Sequence, residues 1–338
     1  MMTLVCHFRL RRLRVKEKRE RAQGETPKRQ KMQLRHLHYF VTLARERHFA
    51  RAAAACRVTQ STLSAAVRQL EAEIGAPLVA RDKRFQDLTP EGRTLLEWAR
   101  RILAEREGLD QELSRLRSGL TGELKLGVVP AALPTIALIT TPFNRRFPDV
   151  RLQILSRTSN EIQRGLDEFA LDAGITYLDN EPLHGVRGRA LYKERYILLT
   201  PADGPFAGAS KVTWREAAKA PLCLLTPDMQ NRRILDGIFR EAGTTPRVLV
   251  ETNSILTLCS HVRSGAWSSV FPHNFLWVVG IPPGMLALPL VDPVRRPTMG
   301  LVVREGDPIS PLVSALEEVV RKGEVLKALE ESATGGGL

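Results

Sequence analysis

Residues 48–92 read HFARAAAACRVTQSTLSAAVRQLEAEIGAPLVARDKRFQDLTPEG. Phe49, Ala52, Ala53 and Cys56 recur at i, i+3, i+4 and i+7, the spacing of one packed helical face. The alanines keep that face low, so a second helix can cross it closely. Val58 is an apolar stop, and Thr59 has the chemistry of an N-cap. A second helix is predicted over residues 60–74, with Leu63, Val67, Leu70 and Ile74 as its apolar stripe. Gly75 suits the position after its last turn, and Pro77 blocks continuation. A short polar excursion through Arg81, Lys83 and Arg84, closing at Leu88-Thr89-Pro90, reads as a basic hairpin. The whole is a helix-turn-helix with a wing.

With Leu63 and Val67 turned inward, Gln60, Ser61, Thr62, Ser64, Ala65 and Arg68 are left on the outer, N-terminal side. Glu71 and Glu73 sit late in the helix, away from that end. A recognition helix offers its N-terminal edge to the DNA major groove. Glutamine pairs bidentately with adenine and arginine with guanine, while hydroxyls reach phosphate or base. The candidate DNA contacts are these six outer residues with Thr59, Thr89, Arg81, Lys83 and Arg84, the last three meeting flanking phosphates or the minor groove. A plain helical domain gives a similar three-helix pattern, but neither the wing nor the architecture downstream of it.

Order, spacing and turn residues in MQLRHLHYFVTLARERHFARAA (from Met32), VTQSTLSAAVRQLEAEIGAPLVARDKR and LTPEG resemble the LysR-type transcriptional regulators. The resemblance implies a bacterial, cytoplasmic, sequence-specific regulator. It implies a homodimer or homotetramer on an interrupted palindrome, a small-molecule effector, and RNA polymerase as a further contact. The chain departs from the family pattern at Ser61, where proline is usual, at Ala65-Ala66, where Arg-Gln is usual, and at Val79, where phenylalanine is usual. Ala65 removes a basic contact and leaves the target sequence open.

The formal net charge of +13 over 338 residues is unevenly placed. Residues 1–31 carry 11 Lys or Arg against 3 Asp or Glu, residues 32–121 carry 15 against 11, and residues 122–338 carry 24 against 23. The excess therefore lies mostly before the helix-turn-helix, and a high isoelectric point is no argument for specific DNA binding. Residues 1–31 have no apolar run long enough for a signal peptide or a membrane span. They are either a disordered basic arm with salt-sensitive DNA affinity or the product of a start assigned ahead of Met32. No later segment is apolar enough to cross a membrane.

From Pro90 one long helix is predicted to about Leu116, with Thr89 as N-cap. Leu95, Ala99, Ile102, Leu109, Leu113 and Leu116 follow a heptad seam interrupted by Arg106. Such a seam pairs with a second copy or packs on its own chain. Pairing suits a reader of two half-sites. Residues 118–122 then form a hinge.

Beyond residue 122, strands ELKLGVV, VRLQILSRT and LDAGITYL alternate with helices, and the alternation restarts after ERYILLTP. This argues a largely parallel α/β domain. Two lobes joined near residues 195–200 and 298–304 resemble the periplasmic-binding-protein-like effector domain of the same family. The predicted architecture is α+β and multidomain: winged helix-turn-helix (32–89), linker helix (90–121), and effector domain (122–322). Its first lobe covers about 122–196 and 303–322, its second about 197–302, and a tail completes the chain.

Ligands in such a fold lie between the lobes, where strand ends meet helix N-termini. Candidate contacts are Pro130, Ala131, Ala132, Leu133, Ser156, Thr158 and Ser159 in the first lobe. In the second they are Thr226, Asp228, Gln230, Asn231, Asn253, Phe271 and His273, with Arg232 close by. The serines and threonines serve equally as helix caps. A small organic anion is the preferred effector class.

Cysteines at 6, 56, 223 and 259 form no CxxC or His/Cys cluster, so neither a metal nor a cofactor is expected. HFARAAAAC resembles peroxide-sensing members of the family, which makes a thiol-based sensor the alternative. Those members place their reactive cysteine in the segment corresponding to LCLLTPDMQNRRIL, near Gln230, where this chain has none. Cys223 within an apolar strand and Cys259 within a helix read as core residues. No GxSxG, P-loop, HExxH or dinucleotide fingerprint stands in suitable context, and an enzyme is not expected.

Overall fold

The computed structural model describes residues 32–81, 85–306, 309–322 and 326–330. The predicted basic arm (1–31), Cys6, Lys83, Arg84 and most of the tail lie outside these residues. The chain divides into two compact units, Met1–Leu103 and Ala104–Leu338. The boundary falls inside the long helix, so that helix is shared between the units and is not a separate layer.

In the first unit, α1 (Leu34–Glu46), α2 (Phe49–Ala55) and α3 (Gln60–Ile74) pack on one another. The core holds Leu37, Phe40 and Leu43 of α1, Ala52 and Ala53 of α2, and Leu63, Val67 and Leu70 of α3. Ile74, expected on that stripe, is exposed, and Ala66 is buried in its stead. Gly75 closes α3 at φ +79°, its amide donating to Glu71 O at 2.8 Å. The wing is β1 (Val79–Arg81) antiparallel to β2 (Phe85–Leu88).

Helix α4 (Pro90–Ser118) begins against the wing. Thr89 caps it, accepting from Gly92 N at 2.9 Å and donating to Pro77 O at 2.6 Å. A Cβ on Gly92 would stand 2.0 Å from the Leu78 carbonyl oxygen, so only glycine allows this approach. The seam divides along the helix. Ala99 is buried and Leu95 half-buried in the first unit's own core. Ile102, Leu109, Leu113 and Leu116 are exposed, Leu116 at 71%.

In the second unit, β3 (Gly122–Val128), β4 (Val150–Ser156), β5 (Ala173–Tyr177), β6 (Val186–Lys193) and β13 (Thr298–Arg304) form one sheet in the order β4-β3-β5-β13-β6. The β3 pairings with β4 and β5 are parallel, while β13 runs antiparallel to β5 and β6. The sheet is therefore mixed, not largely parallel. Around it lie a 3-10 turn (Pro130–Thr135), α5 (Ala137–Arg146), α6 (Ser159–Asp167) and α11 (Pro311–Arg321).

The second lobe holds β7 (Tyr196–Pro201), β8 (Val212–Thr213), α7 (Trp214–Ala217), β9 (Leu222–Leu225), α8 (Gln230–Glu241), β10 (Val248–Thr252) and α9 (Ile255–Arg263). It continues with β11 (Ser269–Pro272), a 3-10 turn (His273–Phe275), α10 (Leu276–Val279) and β12 (Met285–Val291). Its strands run β11-β7-β12-β8, with parallel β9 and β10 joined through the Leu222–Ser268 bridge. The chain crosses between lobes at residues 194–195 and 292–297. The second crossing precedes β13, which places residues 298–302 in the first lobe, contrary to the boundary expected from sequence. A strand that the sequence pattern does not announce is β6, VRGRALYK, whose charged residues suit its place at the sheet edge.

Gly92→Ala is expected to destabilise the first unit by about 1–3 kcal/mol, because backbone must move to admit one methyl group. Thermal denaturation of the full chain checks this, and an unchanged first transition contradicts it.

Candidate nucleic-acid interface and inter-lobe site

Burying Leu63, Ala66, Val67 and Leu70 fixes the rotation of α3. Thr59, Gln60, Ser61, Thr62, Ala65 and Arg68 are thereby exposed together, with Ser64 half-buried beside them. The helix start is ordered by a hydroxyl cluster. Thr59 Oγ1 accepts from Thr62 N at 3.2 Å and lies 2.9 Å from Ser61 Oγ and 2.8 Å from Thr62 Oγ1. Ser61 thus helps to tie down the first turn. Arg68 and Arg57 are exposed and form no ion pair among the described residues. Arg57, in the turn before α3 at φ +55°, is not a sequence candidate, because no periodicity marks it.

Thr89 reads by sequence both as a DNA contact and as the N-cap of the long helix, and its hydroxyl caps α4 and donates to Pro77 O. Glu71 lies away from the DNA-reading edge, and its Oε1 accepts from Leu78 N at 3.1 Å, fastening the wing to α3. The backbone of Arg81 ends β1, so the basic hairpin begins where expected.

In the second unit, the first turn of α8 meets the end of β5. Thr176 Oγ1 donates to Gln230 Oε1 at 3.0 Å, and Gln230 Nε2 donates to Asn180 O. Asn231 Nδ2 donates to the Tyr177 hydroxyl at 2.8 Å. Arg233 Nε donates to Glu181 Oε1 at 2.6 Å, and Arg233 Nη2 to Ser159 Oγ at 3.4 Å. The lobes are thus clasped by Gln230, Asn231 and Arg233. Of the expected ligand contacts, the structure gathers Ser159, Gln230 and Asn231 here. Nothing in the sequence signals the partnership of residues 54 positions apart.

The other candidates separate. Pro130, Ala131 and Ala132 are buried at the start of their 3-10 turn, with Leu133 half-buried. Thr158 forms a capping box with Glu161, accepting from Glu161 N at 3.2 Å. Ser156, Asp228 and Asn253 are at least partly exposed. Phe271, expected in the cleft, stacks on Phe275 at 4.6 Å inside the second lobe's core, because β11 is buried along its length. Thr226 Oγ1 and His273 Nε2 are buried without hydrogen-bond partners. Burial pushes the His273 imidazole down to about 4, so it is neutral at physiological pH. Neither arginine at the α8 end is left for an anion. Arg232 binds Asp236 Oδ1 at 2.9 Å and Glu251 Oε1 at 2.7 Å, and Arg233 binds Glu181.

Cys223 is buried, and burial pushes its thiol up to about 11. The half-buried Cys259 thiol is pushed to about 11 by the same cause. Both are far from the thiolate character that peroxide chemistry requires.

Comparison with known proteins agrees with this architecture. Residues 34–93 match the bacterial regulatory helix-turn-helix protein of the lysR family, and residues 117–324 match the LysR substrate binding domain. The chain is 34% identical to the uncharacterised HTH-type transcriptional regulator YnfL of Escherichia coli K12, over 72% of this chain and 83% of that one. It is 30% identical to the DNA-binding transcriptional dual regulator OxyR of the same strain, over 86% and 95%. A full-length OxyR variant from Pseudomonas aeruginosa superposes with a TM-score of 0.69 at 27% identity, covering 86% of this chain and 98% of that one. The protein belongs to the LysR family of DNA-binding transcriptional regulators.

Thr59→Ala removes the cap of α3 and is expected to cost about 1 kcal/mol of stability in the first unit. Chemical denaturation measures it, and no loss would mean that the hydroxyl cluster does not order the helix start.

Proposed function

We propose that this regulator reads an interrupted palindrome in the bacterial cytoplasm through α3, steadied by the wing, and answers to a small effector held between the lobes of its second unit. The observation that carries the reading is the exposed edge Thr59, Gln60, Ser61, Thr62, Ala65 and Arg68 on a helix whose opposite face is fully buried. Gln60 supplies base-reading chemistry, while Arg68, the hydroxyls and Arg81, Lys83 and Arg84 supply phosphate contacts. The exposed Ile102, Leu109, Leu113 and Leu116 support pairing of two copies through α4, as a homodimer or within a homotetramer. Altered contact with RNA polymerase then results from the arrangement of those copies.

The effector is a compact polar molecule. Arg232 and Arg233 are held by Asp236, Glu251 and Glu181, so an anionic group on the effector takes its donors from helix N-termini rather than from these guanidinium groups. A ligand that regulates must bind one arrangement of the lobes better than another. Peroxide sensing is the second reading, favoured by the OxyR relatives. The high thiols of Cys223 and Cys259 and the lack of a cysteine near Gln230 weigh against it.

Gln60→Ala is expected to cost about 1–3 kcal/mol of discrimination between the preferred operator and a mismatched one. Arg68→Ala is expected to lower the salt slope of binding by about 1. Fluorescence anisotropy with the full chain measures both. Unchanged discrimination and slope in both variants would remove α3 from the interface.

A further inference from the structure

The first crossing between the lobes carries Glu194, between β6 and β7. Its side chain is 0% exposed. Oε2 accepts from the Tyr177 hydroxyl at 2.6 Å, whereas Oε1 is buried with no hydrogen-bond partner. Among the described residues, the groups that bear on its carboxyl come from the neighbouring strands and α8. Tyr177 of β5, Tyr192 of β6 and Tyr196 of β7 are all buried and interact with its charge. Asn231 of α8 binds the Tyr177 hydroxyl, and Asn274 Nδ2 donates to the Tyr192 hydroxyl at 3.0 Å. His273 keeps Nδ1 3.1 Å from Arg195 N and is neutral. Lys193 and Arg195 flank the residue on exposed side chains.

We propose that Glu194 is a proton-operated pin in the hinge: protonated, it keeps the clasp between α8 and β5 closed, and loss of its proton loosens the two lobes. The Tyr177 hydroxyl is the connection. It gives its proton to Glu194 and receives the amide of Asn231, next to Gln230, whose carboxamide bridges Thr176 and Asn180. A carboxylate with one donor in a dry site is costly, and separating the lobes hydrates it. The device depends on the two-lobe arrangement and not on what the cleft binds.

Burial pushes the Glu194 carboxyl from the usual 4.5 up to about 8, and the Tyr177 hydrogen bond offsets only part of that. The closed arrangement therefore holds the proton more tightly than an open, hydrated one. Its preference for closure is complete below pH 4.5 and declines as pH rises through 8. The closed-to-open ratio falls by nearly tenfold per pH unit between these values and levels off above the higher one, so it falls about 50-fold between pH 6 and pH 8.

The test is hydrogen exchange of the full chain from pH 6 to pH 9, corrected for the intrinsic pH dependence of amide exchange. Protection of residues 173–181 and 228–241 is expected to fall with pH in the native protein. In Glu194→Gln, which is neutral throughout, it is expected to stay high and level. Protection that does not change with pH in the native protein, or a Glu194→Gln variant that keeps the native pH dependence, overturns the proposal. Where Glu194→Gln is not recovered folded, Tyr177→Phe decides. It removes the hydroxyl that couples the carboxyl to Asn231, so protection of residues 228–241 must fall below the native level at pH 6 and lose its pH dependence, and a variant that keeps the native pH dependence overturns the proposal.

Discussion

Burial of Leu63, Ala66, Val67 and Leu70 against α1 and α2 is the constraint on which the DNA-binding reading depends. A helix has one rotation about its axis, and once these four are inside, Gln60, Ser61, Ala65 and Arg68 must be outside. The alanines of α2 permit the close crossing, and the Thr59 cap fixes where the helix starts. Glu71 then links the same helix to the first residue of the wing's first strand, its carboxylate accepting from Leu78 N and Val79 N. Specificity in such a unit rests on a few polar side chains, because the region is only mildly basic.

The second unit is organised around a different constraint, the need to satisfy polar groups where two lobes meet. The hinge carries Glu194, Tyr177, Tyr192, Asn231 and Asn274, all buried. Their hydrogen bonds cross from one lobe to the other, so the relative position of the lobes is written into a side-chain network as well as into the backbone crossings. Groups of this kind stiffen a structure when satisfied and make it responsive when they are not. Glu194 Oε1, Tyr196 Oη, Asn274 Oδ1, His273 Nε2 and Thr226 Oγ1 have no hydrogen-bond partner among the described residues. A molecule that supplied their hydrogen bonds would have a reason to prefer one lobe arrangement, which is the requirement for an effector.

The features legible in the sequence have short-range causes. The α3 bounds, Gly75, the wing and the start of α4 come from caps, turn residues and helical period, and each is readable to within a residue or two. The alternation of strands and helices marks the two lobes. The features that are not legible depend on distant partners. Strand β6 is rich in arginine and lysine and lacks a strand's apolar signature, because only its pairing with β13 makes it one. That same pairing returns residues 298–302 to the first lobe. Phe271 stands beside a strand end and reads equally as cleft or core until Phe275 is seen stacked on it. The heptad seam is a single pattern in sequence. Ala99 belongs to it by spacing but to the first unit's core by contact. The clasp at Gln230 has no local signal at all, because its partners at Thr176 and Asn180 are distant in sequence.

The central claim is that this protein is a sequence-specific reader of DNA working through paired copies of α3. The most direct measurement is selection of bound duplexes from a random pool with the full chain at ordinary salt, with sequencing of the enriched fraction. The account predicts an interrupted palindrome whose half-sites are enriched together at fixed spacing. Enrichment of no motif would contradict it.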